Sequence, residues 1–222
     1  MSTPHAPRTI AVTGYGKINI APDEAHIQAG VQASATTARD VSAIANQAMN
    51  DILAALKERG VAEQSIQTSW FAIRPEYEHR DGTQHRIGHA ATNTVAVTIT
   101  ALDTLGAILD AIIEAGGDHI LINNISFAAN ASAMAQAEDR AQQAALADAR
   151  RQAELIAQAL GITLGAVLTV DAREVNAGGS SRPLRMPMMM AAGGRSTPIE
   201  TGDLDVATNV EIVYEIATQA GG

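Results

Sequence analysis

Cysteine is absent from all 222 residues, which removes disulfides, thiol nucleophiles and zinc–thiolate sites. A cysteine-free chain suits an oxidising compartment, where a stray thiol is a liability, although many cytosolic chains lack cysteine too. Aromatic residues make up only 3% of a chain that is 46% hydrophobic, so the core is expected to be built from Ala, Val, Ile and Leu. Each of these buries little area, and stability then depends on many close helix–sheet contacts or on subunit association. No run of about 18 apolar residues occurs, so the sequence contains no membrane-spanning helix. Basic clusters are missing as well: 15 Lys and Arg stand against 24 Asp and Glu, a net charge of −9. Such a field repels phosphate backbones, and nucleic acid is not an expected partner.

What is present reads as alternating strands and amphipathic helices. Residues 9–20 read as two short strands broken at Gly14-Tyr15-Gly16, whose glycines are expected to supply a sharp bend or bulge. Residues 24–35 alternate, with Ala25, Ile27, Ala29, Val31 and Ala33 on one side, as in a half-buried strand. Thr36 or Thr37 caps a helix running to Lys57 or Arg59, with Val41, Ile44, Ala45, Ala48, Met49, Ile52, Leu53 and Leu56 on one face and a stop at Gly60. Strands over 65–79 and 84–100 are joined at Asp81-Gly82, a strong hairpin signal. A second helix spans 103–115 and a short strand 119–127. The expected order is strand–helix–strand–strand–helix–strand, the split βαβ (βαββαβ) arrangement of ferredoxin-like α+β domains.

Further elements follow that core. An Ala-rich helix spans about 131–160; its Glu138, Asp139, Arg140, Asp148, Arg150, Arg151 and Glu154 read as a solvated, charge-paired face. A strand at 163–175 leads into residues 176–200, a Gly/Pro/Met-rich stretch too long for a simple connection. A last strand near 203–217, with Leu204, Val206, Val210, Ile212, Tyr214 and Ile216 on one face, is placed to pair with residues 9–14. The expected organisation is a flexible leader of residues 1–7 and one α+β domain over 8–222. Met1–Pro7 lacks the basic and apolar regions of a signal peptide, leaving two readings: a periplasmic mature chain without its leader, or a cytoplasmic protein.

No constellation commits the chain to an enzyme. Gly14 and Gly16 lack the third glycine and the helix start of a phosphate loop. Asp23 and Glu24 are neighbours that point to opposite faces, and Asp23 reads as a turn residue after Pro22. His79 and His85 project from opposite faces of the expected hairpin, with Glu78 across from His85 and His79 across from Gln84. His89 is expected on the face of His85 but about 13 Å along the strand; His5, His26 and His119 lie elsewhere. Ser69, Ser126, Ser180 and Ser181 lack a Gly-x-Ser-x-Gly setting. The Met186-Pro-Met-Met-Met190 run is the most unusual local feature. Met186, Met188, Met189 and Met190 offer soft thioether ligands for Cu(I), or adaptable apolar surface for a partner subunit. No catalytic, cofactor-binding or metal residue is assigned.

Several stretches together resemble the SIMPL-domain family. They are residues 9–25, Ile66-Gln-Thr-Ser-Trp-Phe71 with Pro75-Glu-Tyr77, Asn93-Thr-Val95, Leu102-Asp103 with Leu105-Gly106, Ile125-Ser-Phe127, Ala147-Asp-Ala-Arg150 and Pro198-Ile-Glu-Thr-Gly202. The resemblance covers roughly residues 8–217. It implies an α+β fold, a periplasmic or surface-associated location, self-assembly into ring- or channel-like homo-oligomers and a link to oxidative-stress tolerance. It supplies no catalytic motif. The expectation is therefore a non-enzymatic, self-assembling envelope protein, with a Cu(I)- or small-ligand-binding protein using Met186–Met190 as the alternative.

Overall fold

The computed structural model describes residues 8–172, 197 and 199–217. Seven strands and three α-helices are seen among them: β1 Thr9–Ile20, β2 Glu24–Ala35, α1 Ala38–Glu58, β3 Ile66–Arg80, β4 Thr83–Ile99, α2 Leu105–Gly116, β5 Ile120–Ala128, α3 Ala131–Leu160, β6 Thr163–Ala172 and β7 Leu204–Ala217. The fold is mixed α+β with two antiparallel sheets, ordered β1-β7-β6 and β3-β4-β2-β5. The chain divides into two compact units. One holds β1, α3, β6 and β7; the other holds β2, α1, β3, β4, α2 and β5.

In the four-stranded unit, β4 is antiparallel to both β2 and β3, so β2 and β3 run the same way with β4 between them. Thr37 caps α1 by accepting from the Asp40 N–H at 3.1 Å, one of the two cap positions the sequence offers. Val41, Ala45, Met49, Ile52 and Leu56 then lie on its buried face, against Ala25, Ile27, Ala29 and Val31 of β2 and Ala91, Val95 and Val97 of β4. The start of the second helix, expected at 103, is a 3₁₀ turn at Leu102–Thr104 before the α-helix proper. Asp81 and Gly82 both adopt positive φ, 53° and 75°. That is the two-residue turn whose twist matches a hairpin. Thr197 Oγ1 donates to Asp110 Oδ1 at 2.7 Å, and Ile199 packs on this core.

In the three-stranded unit, β1 and β7 pair without interruption from Thr9↔Glu215 to Ile20↔Leu204. The expected break at Gly14 and Gly16 is therefore absent. Their lack of a side chain serves the helix instead. A Cβ on Gly14 would lie 2.0 Å from the Ala145 carbonyl oxygen, and one on Gly16 would lie 1.9 Å from that of Ala141. The helix presents Ala137, Ala141, Ala145, Ala149, Ala153 and Ala157, a row of one residue every four, all buried. Such a row climbs obliquely across a helix surface, and here it lies against Ile10, Val12, Val206, Val210, Ile212 and Tyr214.

Polar side chains of α3 complete the contact. Asp148 Oδ2 accepts from the Tyr15 N–H at 3.1 Å, and Gln152 Nε2 donates to the Thr13 carbonyl at 3.1 Å and to Asp148 Oδ2 at 2.7 Å. The helix thus satisfies backbone groups of β1 on an edge that no described strand pairs, one way natural proteins manage a sheet edge. Asp148 is more than the solvated charge the sequence suggests, although its pairing with Arg151 and that of Arg150 with Glu154 follow the expected spacing.

Two consequences are measurable. Gly16→Ala is expected to cost about 2–3 kcal/mol, as overpacking against backbone does, lowering the melting midpoint by roughly 5–10 °C for a chain of this size; an unchanged midpoint would contradict the close approach. The Tyr15 N–H foremost, then Arg151 and Gln152, hold the Asp148 carboxyl below the ordinary aspartate range. A depressed folded value means its stabilisation is present above the ordinary aspartate value, near ~4, and is lost as pH falls below it. Asp148→Asn should flatten the stability curve in that acid segment, read by denaturant titration at stepped pH. Superimposable pH curves for the two proteins would remove Asp148 from this role.

Candidate functional site

Most polar groups flagged by the sequence are kept apart. His79 and His85 lie on opposite faces of the hairpin, with Glu78↔His85 and His79↔Gln84 in register as expected. The expectation for His89 fails. A bulge at Ile87, between the pairs Glu76↔Gly88 and Tyr77↔Arg86, reverses the alternation and places His89 on the face opposite to His85. Among the described residues, no three His, Asp or Glu side chains gather where a metal ion could be held. His5, Ser180, Ser181 and Met186–Met190 lie outside the described residues. Asp23 sits in the β1–β2 connection, its N–H donating to the Ala128 carbonyl at 3.1 Å, in keeping with a turn role.

One convergence was not anticipated. On the outer face of β2, His26 stands across from Thr98 on one side and Ser126 on the other. Its Nδ1 is 3.2 Å from Thr98 Oγ1, and its Nε2 is 3.8 Å from Glu24 Oε2. Strand alternation alone puts residues 24 and 26 on one face; only the ladder register could have added 98 and 126. The carboxylate lies beyond hydrogen-bond reach, so it does not fix the imidazole as a catalytic base is fixed. The histidine side chain is also 45% exposed.

A groove of about 770 Å³ lies between α1 and the β3–β4 side of the sheet. Ile66, Thr68, Asn93 and Val95 contribute from the sheet, and Asn46, Met49, Asn50 and Leu53 from the helix. Lys57 and Glu63 also line it and are ion-paired; hydrogen bonding to Lys57, then its charge, holds the Glu63 carboxyl below the ordinary range. Asn93 Oδ1 is buried with no hydrogen-bond partner among the described residues, as is His89 Nδ1 two positions along the same face. Buried polar atoms without partners are uncommon. Sequence reading missed Asn93, because it reads as one more polar position in an alternating strand.

Beyond the groove the hairpin carries apolar side chains in water. Trp70, Phe71, Tyr77 and Ile87 are 50–53% exposed and Ile73 is 36% exposed. Three of the chain's six aromatic residues are thus spent on one exposed strand.

Comparison with known proteins places this architecture. A family model described as SIMPL, a protein of unknown function (DUF541), matches residues 10–214. The chain is 30% identical over 227 residues to the 26 kDa periplasmic immunogenic protein of Brucella melitensis, covering 95% of this chain and 85% of that protein. It is 32% identical over 169 residues to the uncharacterized protein YggE of Edwardsiella ictaluri, covering 75% and 68%. Against YggE of Escherichia coli K12 the identity is 25% over 208 residues, covering 93% and 82%. Among the described residues no helix is long and apolar enough to cross a membrane. With the family model matching nearly its whole length, this chain belongs to the SIMPL family.

Proposed function

We propose that this chain is a non-enzymatic, self-assembling protein of the periplasm or envelope, whose contribution to stress tolerance is indirect, through the assembly it forms. The compartment is suggested by the periplasmic relative. The observation that carries the reading is the state of the sheet edges. Natural edge strands are blunted by charge, proline or a covering element. Here β6 runs uncharged from Thr163 to Val170 with Val167, Leu168 and Val170 about half exposed, and β3 runs uncharged from Ile66 to Ile73. Edges of this kind are stable in water when something pairs with them or covers them. A non-enzymatic role is supported by the separation of Glu24 from His26 and by the scatter of the other histidines. A ferredoxin-like split βαβ core in the four-stranded unit is the corresponding fold reading, supported by the order β3-β4-β2-β5.

Light scattering on size-exclusion chromatography tests assembly directly. A single mass several times that of one chain, persisting on dilution, is expected; the mass of one chain at micromolar concentration would overturn the proposal.

A second reading, a small-ligand-binding protein, is favoured by the groove and the unpartnered Asn93 Oδ1. An unpartnered acceptor beside apolar side chains suits a neutral ligand offering an N–H donor. N-methylacetamide should then shift the side-chain amide resonance of Asn93 saturably. A shift that grows linearly without saturation would count against the site.

A further inference from the structure

Strand β3 is amphipathic beyond the point where the rest of its unit makes use of it. Alternation sets Phe71, Ile73, Pro75 and Tyr77 on one face and Trp70, Arg74, Glu76, Glu78 and Arg80 on the other. The first face is also that of Ala91 on β4, the partner of Ile73, which packs in the core with α1. The charged face is organised for solvent: Arg74 stacks over Trp70 at 5.9 Å, and Arg80 pairs with Glu78 at 3.5 Å. The apolar face, which also includes His79, has no such pairing among the described residues. It is joined there by Arg86, opposite Tyr77.

Pairing of β2 with β4 ends at Ala35↔His89. Residues 76–88 therefore extend past the sheet as a two-stranded ribbon, with neither outer edge paired among the described residues. A ribbon of two strands is marginal in water unless a face is covered.

We propose that this arm docks on a second copy of the chain, apolar face to apolar face, in a two-fold contact centred on Phe71, Ile73 and Tyr77. The inference rests on the assembly reading and names the surface that carries it. Charge selects the second copy as occupant. From residue 70 to 89 the arm holds Arg74, Arg80 and Arg86 against Glu76, Glu78 and Asp81, a net charge of zero, so the whole −9 of the chain resides elsewhere. Two copies repel each other across acidic surfaces and meet without that cost at the arm. Area is consistent. Half-exposed aromatic side chains of 150–250 Å² each, with Ile73, present on the order of 300 Å² per copy. That is within the range of the largest patch a monomer ordinarily leaves open and somewhat over a third of what each partner of a standard interface buries. A two-fold contact uses one patch twice, which a self-complementary apolar face permits.

The test uses the full chain and two independent readouts. Phe71→Glu with Tyr77→Glu should reduce the assembled mass to half or less at equal concentration, with helix content and melting midpoint unchanged because both side chains stand half in solvent. The absence of native cysteine makes single introduced thiols unambiguous. Tyr77→Cys should give a disulfide-linked dimer under mild oxidation, and Glu78→Cys, on the opposite face, should not. If the wild type assembles and the double variant assembles equally, or if Glu78→Cys cross-links as fast as Tyr77→Cys, this surface is wrong while assembly stands. If the wild type has the mass of one chain at every concentration, the assembly reading falls and this surface falls with it. Should the double variant melt early, the comparison of the two cysteine variants decides.

Discussion

The three-stranded unit depends on a backbone-to-backbone approach between α3 and β1. Gly14 and Gly16 leave no room for even a methyl group beneath the carbonyls of Ala141 and Ala145, and the helix meets them with alanines alone. Side chains this small gain little area apiece. The contact therefore works by closeness and length, six alanines along a helix of 30 residues. The same closeness brings Asp148 and Gln152 within reach of the β1 backbone, so packing and edge protection arise from one geometry.

That economy has a counterpart at the surface. A core made from small aliphatic side chains has little need of aromatics, and of six in the chain only Tyr214 is among the buried residues. Trp70, Phe71 and Tyr77 are held instead on the exposed strand β3. Aromatic side chains are costly to leave in water and are enriched where proteins meet. The contrast between the edges runs the same way: side chains of α3 cover β1, whereas residues 66–73 of β3 and 163–170 of β6 carry no charge and present half-exposed apolar residues.

Much of this was legible in the sequence. Alternation and helical spacing locate the described strands and helices to within a few residues, apart from the expected split of β1, because burial of one face imposes period 2 or 3.6. Asp81-Gly82 and Thr37 announce a turn and a cap through local chemistry. What failed depends on tertiary partners. Gly14 and Gly16 look like a bend because a glycine needed for a helix crossing carries no local mark of it. The bulge at Ile87, which separates His85 from His89, is set by the ladder and not by its own sequence. The groove beneath α1 and the bare apolar face of β3 were invisible for a related reason. An alternating strand reads as half-buried whether or not anything covers it.

The proposed cover for the arm is a second copy of the chain. Amide hydrogen exchange over residues 70–88, followed at concentrations above and below assembly, addresses it most directly. Slower exchange in that segment at high concentration, with α3 unchanged, is the result expected. Equal exchange in the arm at both concentrations, in a sample whose mass shows assembly, would contradict it.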